Sequence, residues 1–97
     1  MGALTVGALY DTLPAGYTTV YVEEAPYYYY GGNYYEVQGG QYVVVAPPLG
    51  ATVDYLPSAA KRVEVNGVTY FELGSTWYRR YFGDGGGVIY KVVKSPL

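Results

Sequence analysis

The 97-residue sequence contains no cysteine and no histidine. The absence of cysteine excludes disulfides and thiol chemistry, and the absence of both residues removes the most common ligands of zinc and copper. Histidine is also the usual general base near neutral pH, because its pKa lies in that range. The sequence therefore predicts no metal site, no cofactor and no catalytic residue, and it disfavours an enzyme.

Charged residues and long apolar segments are also scarce. Only 14% of the residues are charged, against about 25% in ordinary globular domains. No apolar run reaches the ~18 residues of a membrane-spanning helix, so no transmembrane segment is predicted. Residues 1–6 contain no basic residue and no long apolar run, and we do not expect them to form a signal peptide.

The few charges are unevenly distributed along the chain. Residues 1–57 contain five acidic residues and no lysine or arginine, whereas residues 58–97 contain six basic and three acidic residues. Divergence between duplicated units explains this split, and head-to-tail self-association through opposite charges is the alternative. With a formal net charge of −2, the chain lacks the basic character that nucleic-acid binding requires.

Tyrosine is abundant, with 15 residues, and much of it belongs to an internal repeat. Residues 7–14 return as residues 50–57 at an offset of 43 positions, and the same offset aligns Tyr35 with Tyr78. A fixed period of this length indicates one supersecondary unit that is used twice. We therefore predict a first unit at residues 1–48 and a second unit at residues 49–97.

Each unit reads as a series of short strands. Glycine and proline recur at short intervals and separate runs that are rich in valine, tyrosine and threonine, which is typical of strands joined by turns. Asn66-Gly67 predicts a two-residue type I′ hairpin that pairs Val65 with Val68. The predicted fold class is all-β, with two small SH3-like barrels or rolls packed as one compact body. The predicted core consists of Val20, Val22, Val44, Val63, Val65, Tyr70 and Val92.

The tyrosine runs are the candidate binding site. Residues 27–30 are four consecutive tyrosines, so a strand formed there carries aromatic rings on both faces. Either the rings cover the sheet, or they form a recognition surface for a protein or a cell-wall glycan. The candidate binding residues are Tyr28, Tyr30, Tyr34, Tyr35 and Trp77. Of these, Tyr28, Tyr30 and Tyr34 are expected to point outward.

Two other features of the sequence, a glycine-rich segment and the scattered carboxylates, have simple structural interpretations. The glycine-rich residues 83–87 resemble a phosphate loop in composition, but a predicted strand follows them where a phosphate loop needs a helix. They are therefore interpreted as a hairpin loop. Asp11 and Asp54, each two residues before a Leu-Pro pair, are interpreted as structural caps of the turns that follow. The alternative function is a small carbohydrate-active or other envelope enzyme that uses carboxylates.

Several strings resemble a family of uncharacterised bacterial proteins with tandem modules of the form LPxGYxxVxVNGVxYYYYNGxYY. Residues 13–22, 27–35, 42–51 and 63–71 carry this resemblance, whereas Ser58-Ala59-Ala60 and Glu72-Leu73 depart from the pattern. Members of the family look exported. The resemblance therefore implies a non-catalytic binding or structural module in the bacterial cell envelope, either periplasmic or associated with the outer membrane.

Overall fold

The computed structural model describes residues 4–97, which form ten β-strands and one short 3₁₀ turn, with no α-helix in that range. The strands make two five-stranded antiparallel sheets of the same connectivity. The chain divides between Pro47 and Pro48 into two compact units, each of which contains one sheet. These observations confirm the all-β class and the duplicated arrangement.

The first unit is a meander of four strands with a short fifth strand at one edge. Its strands are β1 (Leu9–Tyr10), β2 (Thr18–Val22), β3 (Ala25–Tyr30), β4 (Asn33–Gln38) and β5 (Gln41–Val45). The order across the sheet is β1-β5-β4-β3-β2, so β1 and β2 are its edges. Three two-residue turns join β2 to β5, and every central residue of these turns has a positive φ.

The second unit repeats this arrangement. Its strands are β6 (Thr52–Val53), β7 (Lys61–Val65), β8 (Val68–Leu73), β9 (Thr76–Phe82) and β10 (Val88–Val93), in the order β6-β10-β9-β8-β7. The glycine-rich segment forms the 3₁₀ turn Asp84–Gly86 between β9 and β10. Because these two strands pair directly, the segment is a hairpin loop, as the sequence predicted.

The first hairpin of each unit closes on a two-residue turn of the same geometry. Asn66 and Gly67 have φ values of 52° and 81°, and they separate the paired residues Val65 and Val68. This is the predicted type I′ turn, which needs positive φ at both central positions. Glu23 and Glu24 occupy the equivalent turn with φ values of 50° and 72°, although glutamate disfavours this region of backbone space.

The core of each sheet is formed mainly by its central strands. The buried residues of the first unit are Val20, Tyr29, Tyr34, Tyr35 and Val44, and those of the second unit are Ala51, Val53, Trp77, Tyr78 and Val92. Val20, Val44 and Val92 were predicted correctly. The prediction was wrong for Val22, Val63, Val65 and Tyr70, which are half-buried. Most of these belong to β2 and β7, which have a neighbouring strand on one side only.

Candidate functional site

One face of the first sheet collects most of the tyrosines of that unit. Residues directly opposite each other on paired antiparallel strands project from the same face. The register places Tyr28 opposite Tyr35, and it places Tyr10 opposite Tyr42. Because side chains alternate along a strand, Tyr21 and Tyr30 share this face. We define the tyrosine face as Tyr10, Tyr17, Tyr21, Tyr28, Tyr30, Tyr35 and Tyr42.

The rings of this face pack edge against face. Tyr28 lies between Tyr17 and Tyr42, with ring centroids 5.6 Å and 6.1 Å away and interplanar angles of 85° and 86°. Tyr10 meets Tyr35 in the same manner at 6.3 Å. Such T-shaped pairs place the positive edge of one ring on the negative face of the next, and each contributes about 0.5–1.5 kcal/mol beyond its area burial. These contacts orient the five rings of Tyr10, Tyr17, Tyr28, Tyr35 and Tyr42.

Much of the tyrosine face remains accessible to a partner. The relative solvent accessibility of Tyr10, Tyr17, Tyr21 and Tyr30 lies between 39% and 67%, and Tyr28 and Tyr42 are half-buried. The other residues of β2 to β5 on this face are Thr19, Pro26, Asn33, Val37 and Val44. None of these side chains is charged. The surface is therefore aromatic, hydroxylated and neutral.

Burial moves the pKa of the Tyr35 hydroxyl further above physiological pH. The pKa of Tyr35 is raised above its ordinary value of 10.0, first because burial penalises the phenolate and second because ionised Tyr10 would repel it. Removing a charge from water is unfavourable in a low-dielectric interior. At physiological pH this part of the face carries no negative charge.

The structure separates the five predicted binding residues into two groups. Tyr28 and Tyr30 lie on the tyrosine face, and Tyr30 is exposed. Tyr34 was expected to point outward, but this prediction was wrong because the residue is fully buried on the opposite face, 5.0 Å from the ring of Tyr29. Tyr35 lies on the tyrosine face but is buried, and Trp77 of the second unit is buried too.

The three buried residues cannot offer ring surface to a partner. Each is in contact with a neighbouring ring: Tyr29 packs against Tyr34, Tyr10 against Tyr35 and Tyr70 against Trp77. Tyr34 and Tyr35 belong to β4 and Trp77 belongs to β9, and each of these strands has neighbours on both sides. Sequence reasoning missed Tyr10, Tyr17, Tyr21 and Tyr42. The tight turns contain a signal for Tyr21 and Tyr42, because a two-residue turn fixes which residues of β2 to β5 are opposite each other. Tyr10 lies on β1, which pairs with β5 across the sheet, and Tyr17 precedes β2, so no tight turn fixes their positions.

The equivalent face of the second sheet keeps one ring contact and gains charge. Phe71 and Tyr90 meet at 5.4 Å and 86°, as Tyr28 and Tyr42 do in the first unit. The guanidinium of Arg80 lies 5.7 Å from the ring centre of Phe71. Arg62 and Glu64 share this face and form an ion pair of 3.7 Å. The two units therefore present chemically different surfaces on the same scaffold.

A cationic cluster lies on the opposite face of the second sheet. Arg79 is directly opposite Lys91, and both cations lie over the ring of Tyr81, at 5.3 Å and 5.9 Å from its centre. All three side chains are exposed. Contact with the ring face offsets part of the repulsion between the two like charges.

The carboxylates are dispersed. Within residues 4–97 no group of three or more acidic, histidine or cysteine side chains is arranged to hold a metal ion. Asp11 accepts a hydrogen bond from the side-chain amide of Gln41 at 2.9 Å. A shallow depression in the second unit is lined by Ala59, Lys61, Glu72 and Gly74, and its single carboxylate lies opposite the lysine. No helix of the described residues is long and apolar enough to cross a membrane.

Comparison with known proteins adds a family to this description. Neither a search of curated proteins nor a search of solved structures gave a match. A family model described as a family of unknown function, DUF6515, matches residues 3–96. Since the match covers nearly the whole chain, this protein belongs to that family of unknown function.

Proposed function

We propose that this protein is a non-catalytic binding module of the bacterial cell envelope, and that its tyrosine face binds a cell-wall glycan. The observation that carries the proposal is the neutral array of six exposed or half-buried tyrosines that surrounds the buried Tyr35 on one side of the first sheet. Contiguous apolar surface that remains exposed usually marks an interaction site. The envelope location is inferred from the resemblance of the tandem modules to exported bacterial proteins.

The chemistry of the tyrosine face suits the uncharged faces of sugars. A pyranose ring has an apolar face of C–H groups, which packs against an aromatic ring, and a rim of hydroxyls. Tyrosine matches both parts because its body is apolar and its hydroxyl both donates and accepts hydrogen bonds. Edge-to-face contacts already hold Tyr17, Tyr28 and Tyr42, so little side-chain entropy is lost on binding.

A protein partner is the second candidate, and the exposure of Val37 favours it. This valine lies on the tyrosine face with 59% of its surface exposed. Tyrosine rings are enriched at the energetically dominant positions of protein interfaces. A branched aliphatic side chain beside them adds apolar contact area that a sugar chain uses poorly.

Retention on insoluble glycan tests the proposal. The protein is incubated with insoluble peptidoglycan and, separately, with chitin as an uncharged polymer, and the bound fraction is measured after sedimentation. Tyr17→Ser/Tyr30→Ser should reduce the bound fraction by about tenfold, because exposed aromatic side chains contribute much of the binding energy at such surfaces. Phe82→Ser is the matched control, since Phe82 is 76% exposed but belongs to the second unit.

Each outcome of this experiment has a defined meaning. Unchanged retention of Tyr17→Ser/Tyr30→Ser, with an unchanged melting temperature, contradicts the glycan surface. Absence of retention for the unmodified protein, combined with capture of an envelope protein that depends on Tyr17 and Tyr30, favours the second candidate. Release of soluble sugars during the incubation supports the carboxylate-dependent enzyme instead.

A further inference from the structure

Strand β2 is an unprotected sheet edge. Thr18–Val22 pair with β3 on one side, and within residues 4–97 they make no backbone hydrogen bond outside that ladder. Proteins commonly protect such edges with charged residues, proline or very short strands, because unpaired backbone groups attract another strand. The β2 sequence, Thr-Thr-Val-Tyr-Val, has none of these features over five residues.

The other three edges of the two sheets show the usual protection. Strands β1 and β6 contain two residues each. Strand β7 is as long as β2, but three of its five residues are charged. The internal repeat places Arg62 at the position of Thr19, and Glu64 at the position of Tyr21. The same scaffold therefore has a charged edge in the second unit and a neutral edge in the first.

The turn after β2 determines which of its backbone groups are free. Val22 and Ala25 flank the two-residue turn, and in such hairpins the flanking residues form a hydrogen-bonded pair. Alternation along the strand then directs the backbone groups of Thr18, Val20 and Val22 towards β3. The N–H and C=O groups of Thr19 and Tyr21 point away from the sheet, and both side chains are exposed.

We propose that two copies of this chain associate through β2 to form a two-fold symmetric dimer. The strands pair antiparallel, with Val20 opposite Val20 of the second copy on the symmetry axis. Thr19 of each copy is then opposite Tyr21 of the other, and each such pair exchanges both backbone hydrogen bonds. A second copy is the natural occupant because this register makes the neutral edge complementary to itself.

The dimer extends the proposed binding surface but does not depend on it. Opposite residues of an antiparallel pair lie on the same face, so Thr19 and Tyr21 continue the tyrosine face of one copy into that of the other. Sedimentation of the protein without glycan tests the dimer alone. If the protein is not retained on glycan, the dimer proposal is unaffected. If the protein is monomeric, the proposed glycan binding by a single tyrosine face is unaffected.

Sedimentation velocity over a wide range of protein concentration measures the association. The unmodified chain should shift from monomer to dimer as concentration rises. Thr19→Lys/Tyr21→Lys should raise the dimer Kd at least about tenfold, because each pair across the interface becomes a pair of like charges. Glu64→Lys is the matched control, since it also changes the net charge by +2 and, with Arg62, places two cations on β7 at the positions that match Thr19 and Tyr21. Its Kd should stay within about twofold of the unmodified value.

Hydrogen exchange identifies the strand that pairs. The amides of Thr19 and Tyr21 should exchange quickly in dilute solution and become protected as the dimer forms, because they gain hydrogen bonds only in the dimer. A protein that stays monomeric, or a dimer in which these two amides remain unprotected, overturns the proposal. An association that high salt abolishes overturns it also, since this behaviour indicates head-to-tail pairing of the acidic first unit with the basic second unit.

Discussion

At the residue scale, the hydroxyl of Tyr35 couples stability to alkaline pH. Its pKa is raised above 10.0 in the folded protein, mainly by burial and secondarily by Tyr10. An acid with a raised folded-state pKa contributes stability that is fully present below its unfolded pKa and is lost as pH rises through the folded pKa. The affected window therefore begins near pH 10 and extends upward.

Replacement of Tyr35 by phenylalanine should weaken this alkaline loss of stability. The variant has no phenol to ionise at that position, so its free energy of unfolding should fall less steeply above about pH 10 than that of the unmodified protein. Urea unfolding at a series of pH values measures the slope. Tyr30→Phe, which removes a hydroxyl from an exposed ring of the same face, is the control variant. Equal alkaline slopes for Tyr35→Phe and the unmodified protein would show that Tyr35 titrates without cost to the fold.

Among the elements, the turn between β2 and β3 stands out because it contains two glutamates at positive φ. A residue other than glycine in this region costs on the order of 1 kcal/mol or more. Asn66-Gly67 makes the equivalent turn from the residues that prefer it. Both turns join paired antiparallel strands at equivalent places in the two units. The Asn66-Gly67 turn is therefore the reference against which the conformational cost of the two glutamates can be measured.

Exchange of the two turn sequences should change stability in opposite directions. Glu23→Asn/Glu24→Gly should raise the free energy of unfolding by about 1–2 kcal/mol, because the strained backbone is relieved. Asn66→Glu/Gly67→Glu should lower it by a similar amount, and a Cβ at Gly67 meets no atom within 4 Å, so this cost is conformational rather than steric. Urea unfolding of both variants measures the two changes. If both variants lose stability, the glutamates make contacts that outweigh their strain.

The hairpins were predictable from sequence because their determinants are local. Asn66-Gly67 alone fixes the turn and the register of β7 with β8, and the repeat transfers that register to the first unit. Burial of the central strands was not predictable in the same way. Tyr34 and Tyr35 are adjacent residues of one strand, and both are buried although they face opposite sides. A run of tyrosines has no polar and apolar alternation, so the sequence does not show which ring meets water.

For the whole molecule, the duplication separates a neutral surface from a charged one. The first unit carries the tyrosine face, which has no charged side chain among its strand residues. The second unit carries the exposed cations Arg79 and Lys91 around Tyr81. The salt dependence of the proposed glycan binding would distinguish the two surfaces, because salt screens attraction between exposed charges and leaves apolar contact intact.

Retention on chitin should therefore be insensitive to salt. We expect the bound fraction to change by less than about twofold between low salt and about 1 M sodium chloride, where the screening length falls to about 3 Å. Arg79→Ser/Lys91→Ser should bind as well as the unmodified protein at both concentrations, because it leaves every residue of the tyrosine face in place. The measurement is the bound fraction after sedimentation with the polymer. If retention falls with salt and disappears in Arg79→Ser/Lys91→Ser, the binding site is the cationic cluster of the second sheet and not the tyrosine face of the first.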